Sequence, residues 1–275
     1  MLLKRIWIIL LCGVIAAGLV DYAVTFRFFD RPLTQEKQEA FQEQIELPDN
    51  FTLAASVDTV DTVKNTLQAA KKNVYKGTYA LELNVTINSK GVPYLADGPE
   101  YITGASVQLE TIFKTFADME YLRYILNLKN LIPPDTLVEL AQRYDLFGRI
   151  ILDGFSPDDL ERIIAGYPNF MICADLDSQA INLSSRSACE KVLMQCSDYG
   201  ITAVSCSLDR ITDTFCDALY ESNQLRLIIR NVHSEYAMYQ ALSLNPHVVI
   251  TDRPELMYQL LLSHNYLDLN KNNSF

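Results

Sequence analysis

The sequence has few of the residues on which several common functions depend. It contains three histidines, one tryptophan and ten glycines among 275 residues, and no glycine-rich phosphate loop follows its first apolar segment. Positive charge is also in deficit, since 23 Lys and Arg against 34 Asp and Glu give a formal net charge of −11. An acidic surface repels phosphate backbones and anionic lipid head groups. We therefore expect no nucleic-acid partner, and we expect any membrane contact to come from an inserted segment.

Cysteine is present, but not in the patterns of a disulfide framework or a zinc site. The six cysteines include no Cys-x-x-Cys pair, and Cys12 lies in an apolar N-terminal run, which leaves an odd number. A framework needs pairs, and structural zinc needs closely spaced ligands. We predict that the remaining cysteines are small buried hydrophobic residues.

The N-terminus combines positive charge with a short apolar run. Lys4 and Arg5 precede residues 6–20, which carry no charge. The run is shorter than the ~20 residues of a typical spanning helix, but it continues after Asp21, and the pattern favours an uncleaved signal-anchor over residues 1–29. The alternatives are a cleaved signal peptide and a buried helix of a soluble protein. Because the positive flank stays inside, we expect a single-pass cell-membrane protein with its C-terminal domain outside the cytoplasm, or a secreted one after cleavage.

The rest of the chain divides by composition. Residues 30–50 are rich in Gln, Glu and Lys and end at the turn signal Pro-Asp-Asn, so we predict a linker or stalk, or a short helix. Residues 51–265 form the predicted domain. Residues 266–275 are rich in asparagine and are predicted to be a disordered tail.

Within residues 51–265, short apolar segments alternate with amphipathic ones. The pattern predicts eight strands, each followed by a helix, which favours a (β/α)₈ TIM barrel over its alternative, a doubly wound open sheet. A barrel would place its functional side chains at the carboxyl ends of the strands, and the predicted strands are followed there by polar residues that include Asp153, Asp175 and Arg230. The predicted strands are 51–57, 79–87, 122–128, 149–152, 170–174, 202–205, 225–229 and 247–251, and the predicted helices are about 60–75, 108–118, 134–144, 156–166, 185–198, 209–222, 234–244 and from 253 onward.

Several short motifs follow one another along this pattern. They are Ala-Ser-Val-Asp at 55–58, Lys-Asn-Thr at 64–66, Glu-Leu-Asn-Val at 82–85, Lys-Gly-Val-Pro at 90–93, Ala-Asp at 96–97, Leu-Glu-Thr-Ile at 109–112, Leu-Asn-Leu-Lys at 126–129, Gly-Phe-Ser-Pro at 154–157 and Thr-Asp-Arg-Pro at 251–254. In order and spacing they resemble the glycerophosphodiester phosphodiesterase family over about residues 51–262. The resemblance implies a TIM barrel and the hydrolysis of glycerophosphodiesters to glycerol 3-phosphate and an alcohol.

The resemblance also implies catalytic residues, and this chain departs from them. Family members use two histidines as acid and base, and an arginine and a lysine to hold the phosphate. Ser56 and Ala96 stand at the histidine positions, and neither side chain titrates near neutral pH as histidine does. Val57 stands at the position of the arginine. We therefore expect no catalytic residue at these positions.

The positions implied as metal ligands are Glu82, Asn84 and Asn127. Only Glu82 keeps a carboxylate, and hard cations depend on carboxylate charge for their affinity. We therefore expect no cofactor, although an active enzyme of this family would use Mg²⁺ or Ca²⁺. The alternative is a rebuilt metal site in which Asp58 and Asp97 join Glu82.

Lys129 is the one phosphate-holding position that keeps its family residue. Lys129 and Glu82 are predicted to contact a ligand; alternatively they pair with each other across neighbouring strands. The histidines His233, His247 and His264 are predicted to lie away from the rim of the site. The sequence therefore predicts an exported domain that has lost hydrolysis and binds a glycerol-phosphate-type ligand or a protein partner. The alternatives are an active phosphodiester hydrolase and a purely structural extracytoplasmic domain without a ligand.

Overall fold

The structure is a computed structural model that describes residues 35–42, 44–57, 63–74, 77–222, 225–264 and 266. The predicted signal-anchor and all but one residue of the predicted tail lie outside these ranges. Among the described residues, none of the helices combines the length and the apolar character needed to cross a membrane.

Parallel strands close a barrel. In the described chain the ring order is β1-β9-β8-β7-β6-β5-β4-β2, and β1 pairs with β2 to close it, while β3 pairs antiparallel with β2 outside the ring. The predicted barrel is confirmed, and the open sheet is wrong because the β1–β2 pairing leaves no free edge in the ring. The strands are β1 (Thr52–Ser56), β2 (Ala80–Ile87), β3 (Pro93–Leu95), β4 (Arg123–Leu128), β5 (Ile150–Phe155), β6 (Met171–Asp175), β7 (Ala203–Ser207), β8 (Arg226–Val232) and β9 (Val248–Thr251).

Helices follow the barrel strands, as the alternation predicts. Local sequence sets several of their starts: the Ser234 hydroxyl accepts a hydrogen bond from the Ala237 amide at 3.2 Å, and Pro254 occupies the first turn of the last helix, where its missing amide hydrogen costs nothing. The helices are α1 (Gln35–Gln42), α2 (Val63–Val74), α3 (Leu109–Thr115), α4 (Pro134–Arg143), α5 (Leu160–Gly166), α6 (Arg186–Asp198), α7 (Asp213–Ser222), α8 (Glu235–Ser243) and α9 (Pro254–Ser263).

Helix α1, within the predicted linker, lies against the barrel. The Phe41 ring packs 5.9 Å from Tyr236 and 6.1 Å from Tyr239 on α8, and the Gln38 amide donates to the Glu235 carboxylate at 3.1 Å. Since Ile45 is also buried, the chain just before the first strand joins the packing of the barrel's last helices. The domain boundaries remain a prediction.

The barrel interior is built in layers. Its middle layer takes one apolar side chain from each ring strand except β9, which supplies two, and these side chains form a cluster separate from the larger core between strands and helices. Around the ring, two strands with small residues alternate with two strands with branched ones, which fills a narrow barrel. The middle layer consists of Ala54, Ala80, Ile125, Ile151, Cys173, Ala203, Ile228, Val248 and Ile250.

The described cysteines bear out the prediction for this residue type. Cys173, Cys189, Cys196, Cys206 and Cys216 are all free and buried. Burial raises the pKa of Cys196 and of Cys216 to about 11, which keeps both thiols protonated at neutral pH. Cys12 lies outside the described residues.

Candidate site at the carboxyl end of the barrel

The inward layer at the carboxyl end of the strands is polar. Successive side chains of a strand alternate between its two faces, so the residues two positions beyond the middle layer also point inward. Most of them are at least nine-tenths buried. The inward residues of this layer are Ser56, Glu82, Asn127, Asp153, Asp175, Ser205 and Arg230. A polar layer at this end is where a barrel enzyme keeps its site.

Arg230 on β8 is the centre of this layer. Its guanidinium donates to Asp153 on β5 at 3.5 Å and to Asp177, just after β6, at 2.9 Å, and it also donates to Asp175. Asp153 is fully buried and additionally accepts hydrogen bonds from the Ser205 hydroxyl at 2.8 Å and from the Gly154 amide at 2.8 Å. One guanidinium therefore ties together three carboxylates from the ends of two neighbouring strands.

The two strands that carry Asp153 and Arg230 are irregular at these residues. The β5–β6 register shifts between Leu152 and Phe155, and the β8–β9 register shifts between Ile229 and Val232. Irregularities of this kind re-aim side chains beside functional sites. They also lengthen both strands beyond the predicted ends at residues 152 and 229.

Asp177 links the layer to the loops above it. Its carboxylate accepts from the Ser207 amide at 2.8 Å and hydroxyl at 2.5 Å, and from Arg210 at 3.3 Å. Arg210 also donates to the carbonyls of Leu176 at 2.8 Å and Ile181 at 2.9 Å. The loops after β6 and β7 are thus held in place by the same group of charges.

The network shifts the titration of its members in opposite directions. Burial raises the pKa of Asp153, and the nearby Arg230 only partly offsets this. Burial acts in the same sense on Asp177, but the hydrogen bonds from Ser207 and the charge of Arg230 outweigh it and lower the pKa of Asp177. Burial opposes the charge on Arg230, yet the aspartates raise its pKa above the ordinary value. Arg230 is therefore a permanent cation.

Glu82 lies beside this network on β2. Burial raises the pKa of Glu82; a hydrogen bond from Ser56 lowers it, and the charge of Asp153 raises it further. Lys129 makes only the smallest of these contributions, because its side chain is exposed. The ion pairs of the described residues do not include one between Glu82 and Lys129, so that predicted pairing is wrong.

The other residues predicted for the site lie on β2, on β4 and beyond them. Asn84 donates its amide to Asp97 at 2.6 Å, so these two are together, while Asn127 is buried one strand away in register with Asn84. Ala96 is buried, and its amide donates to the Asn84 carbonyl at 3.1 Å. Asp58 lies outside the described residues, so only Glu82 and Asp97 of the alternative metal site are described.

The donor set at the implied metal positions does not fit a divalent cation. It offers one carboxylate, Glu82, whose own proton affinity is raised, and two amides, and the amide of Asn84 is oriented as a donor towards Asp97. The positive charge of this layer comes from Arg230 instead. Among the described residues, no group of three or more His, Cys, Asp or Glu side chains is arranged to hold a metal ion.

The structure corrects the placement of one histidine. His233 directly follows β8 at the carboxyl end, where its Nδ1 lies 3.0 Å from the Asp252 carboxylate, with both side chains largely exposed. The expectation that no histidine lies at this rim is therefore wrong. His264 bonds to the Tyr239 hydroxyl at 2.8 Å among the outer helices, and His247 lies at the opposite, amino end of β9.

Sequence reasoning placed Asp153, Asp175 and Arg230 at strand ends but did not connect them, and it missed Asp177 and Arg210. A usable signal was present in the alternation on β8. Because Ile228 and Arg230 share a face, an inward Ile228 implies an inward Arg230, and a buried arginine requires carboxylate partners.

Comparisons with known proteins agree on the fold. No protein-family model matches the sequence, and no curated protein matches it significantly. Solved structures do. A glycerophosphodiester phosphodiesterase from Parabacteroides distasonis matches with a TM-score of 0.61 at 16% identity, over 79% of this chain and 99% of that one. One from Agrobacterium tumefaciens gives 0.58 at 12% identity, over 76% and 98%.

A third structure was solved with a small molecule. It is an Oleispira antarctica phosphodiesterase in complex with the product sn-glycerol-3-phosphate, with a TM-score of 0.57 at 12% identity over 82% of this chain and 99% of that one. These identities are low, and the likeness is one of fold. The chain thus resembles the glycerophosphodiester phosphodiesterases, and its barrel has their fold.

Proposed function

We propose that this protein is an exported, membrane-anchored barrel that binds a ligand at its carboxyl end without hydrolysing a phosphodiester. The observation that carries the proposal is the chemistry of the two positions where the resemblance implies histidines. Ala96 is a buried side chain without any polar atom, and the Ser56 hydroxyl is a hydrogen-bond donor to Glu82. Neither can exchange a proton with a leaving alcohol at neutral pH.

The charges of the layer support the same proposal. Phosphoryl transfer concentrates negative charge that fixed cations must stabilise. Arg230 is the buried cation of this layer, and it already donates to Asp153, Asp175 and Asp177. Releasing it towards a phosphate would leave Asp153 and Asp175 without this counter-ion, and Asp177 with Arg210 alone.

For the ligand we propose a glycerol-phosphate-type molecule. The support is the Oleispira antarctica neighbour with bound sn-glycerol-3-phosphate and the exposed Lys129, which leaves one cation available at the end of β4. A protein partner at the same face is the alternative. The proposed location rests on Lys4 and Arg5 ahead of the uncharged residues 6–20, with secretion after cleavage as its alternative.

One observation favours a second candidate, an enzyme of altered mechanism. His233 and Asp252 form a histidine–carboxylate pair at the carboxyl end, and a carboxylate partner orients an imidazole for proton transfer. This candidate makes a distinct prediction: any turnover should depend on His233.

The test uses the full chain, purified in a neutral detergent, with glycerophosphocholine or bis(p-nitrophenyl) phosphate and with Mg²⁺, Ca²⁺ or Mn²⁺. We expect no turnover above the protein-free rate, together with a heat of binding for glycerol 3-phosphate that Lys129→Ala removes. Metal-dependent turnover abolished by Glu82→Ala would overturn the proposal. Turnover abolished by His233→Ala, but kept in the matched control His264→Ala, would establish the second candidate instead.

A further inference from the structure

The amino end of the barrel gathers positive charge, although the protein as a whole is acidic. Arg123 and Arg226 are the first residues of β4 and β8, two positions before the inward Ile125 and Ile228, and Arg149 immediately precedes β5. Burial lowers the pKa of Arg123, and the charges of Arg149 and Arg226 lower it further. The guanidiniums of Arg149 and Arg226 thus each lie close enough to repel that of Arg123.

A cavity opens beside Arg226 at this end. It has a volume of about 380 Å³, and its lining includes Asn50, Leu225, Arg226, Asn245 and His247. Pockets for small organic ligands usually measure about 300–1,000 Å³. The cavity lies on the opposite side of the barrel from the Arg230 network, so it is separate from the proposed function.

Existing hydrogen bonds fix what two of these side chains offer. The Asn245 side-chain oxygen accepts from the Glu46 amide at 2.7 Å, so its other polar group is the Nδ2 donor. The Nδ1 atom of His247 accepts from the Leu227 amide at 3.4 Å, which puts the hydrogen of the neutral ring on Nε2. Both side chains therefore present donors, as the Arg226 guanidinium does.

The remaining lining adds apolar surface. Leu219, Leu225 and Leu227 line the cavity together with Tyr220, and the Tyr220 hydroxyl is itself bonded to the Leu244 carbonyl. The described lining residues include no carboxylate. A lining that combines donors of positive or neutral character with leucines suits a ligand with an anionic head and a short apolar body.

We propose that this cavity is a binding site for a small organic anion with a phosphate or carboxylate head group. The guanidinium of Arg226 would bind the head group, and the side chains of Asn245 and His247 would donate further hydrogen bonds to it. The lining leucines would contact the apolar body. The site requires none of the residues at the carboxyl end.

The test is titration calorimetry on the full chain in neutral detergent, with phenyl phosphate, benzoate, phenol and inorganic phosphate as probes. We expect phenyl phosphate or benzoate to bind, phenol not to bind, and inorganic phosphate to bind at least tenfold more weakly than phenyl phosphate. Binding by phenyl phosphate alone would identify a phosphate head group, and binding by benzoate alone a carboxylate one. No binding of either aromatic anion, or equal affinity for phosphate and phenyl phosphate, would overturn the proposal.

Four variants locate the site. Arg226→Gln removes the cation, and Asn245→Asp keeps the acceptor for the Glu46 amide while replacing the Nδ2 donor by negative charge, so each should weaken binding at least tenfold. Arg162→Gln removes one exposed charge on α5, outside both proposed sites, and should leave binding unchanged, whereas Lys129→Gln tests the other end of the barrel. If Arg226→Gln does not fold, Asn245→Asp decides alone. Loss of binding in Lys129→Gln but not in Asn245→Asp would place the ligand at the carboxyl end and overturn the proposal.

Discussion

The two ends of the barrel hold their arginines with different partners. At the carboxyl end, the guanidinium of Arg230 is surrounded by carboxylates, namely those of Asp153, Asp175 and Asp177. At the amino end, Arg149 donates instead to backbone carbonyls, those of Leu122 at 2.9 Å and Met119 at 2.7 Å. The carboxylates that bind Arg230 titrate with pH, whereas the carbonyls that bind Arg149 do not.

This difference bears on how each end responds to its surroundings. A network of carboxylates changes its charge with pH, so the stability it provides depends on pH. The carbonyl partners of Arg149 carry no charge and do not titrate, so the stability that these hydrogen bonds provide does not depend on pH in this way. The carboxyl end therefore sets the charge of Arg230 against carboxylates, whereas the amino end holds Arg149 with uncharged carbonyls.

The largest expected effect comes from Arg230→Met, which leaves three carboxylates without their shared cation. Breaking a buried ion pair by removing one partner costs about 3–5 kcal/mol. We expect the free energy of unfolding by urea at pH 7 to fall by that amount. The difference between variant and wild type should become smaller as the pH falls, because the aspartates become protonated. The control is Arg162→Met, whose exposed pair with Asp159 should contribute less than about 1 kcal/mol. Equal effects of the two substitutions would mean that the network does not stabilise the fold.

The next effect in size is expected from Gly154→Ala, also at the carboxyl end. Gly154 has φ +90°, and an added Cβ would lie 2.5 Å from the Asn127 side-chain oxygen. Backbone strain in this region together with the clash should cost about 2 kcal/mol, measured by thermal unfolding. Gly166→Ala is the matched control, since a Cβ there meets nothing within 4 Å, and it should be neutral or slightly stabilising. A tolerated Gly154→Ala would show that Asn127 is free to move.

Arg149→Met tests the amino end. The substitution removes donors from the carbonyls of Leu122, Met119 and Asp145 but also relieves the repulsion on Arg123, so we expect a loss of only about 1–2 kcal/mol. Because the partners do not titrate, the loss measured by urea denaturation should be the same at pH 4.5 and pH 7.5. If the loss in unfolding free energy caused by Arg149→Met depends on pH as that caused by Arg230→Met does, the proposed difference between the two ends is wrong.

The smallest effect, and one of opposite sign, is expected from Glu82→Gln. The pKa of Glu82 is raised in the folded state, so the folded protein binds this proton more tightly than the unfolded chain. The carboxylate therefore costs stability once the pH rises above its unfolded pKa. Replacing it should therefore stabilise the fold at pH 7, a gain that disappears at low pH. Glu161→Gln on the exposed side of α5 should change nothing measurable, and a destabilising Glu82→Gln would mean that its charged form is needed.

Much of the fold could be predicted from the sequence, because alternating apolar strands and amphipathic helices leave few architectures to choose from. Strand ends were harder. The prediction ended one strand at residue 152, while β5 continues to Phe155, because Gly154 with its positive φ allows a register shift that local pattern does not reveal. The second such strand, β8, passes through Asn231 with φ 61°.

The site was less predictable than the fold. Motif order located Glu82, Asn84 and Asn127 on neighbouring strands, but it could not show that Arg230 from the far side of the ring reaches Asp153. That contact depends on strand tilt and stagger, which a single sequence does not specify. Lys129 illustrates the same limit, since register places it beside β2 while its side chain points to solvent.

The packing of helix α1 on α8 limits the distance between the barrel and the proposed membrane anchor. If the proposed anchor ends at residue 29, only residues 30–34 separate it from Gln35, and five extended residues span at most about 17 Å. Gln35 would then lie within that distance of the end of the anchor, so the amino end of helix α1 would stay close to the membrane surface.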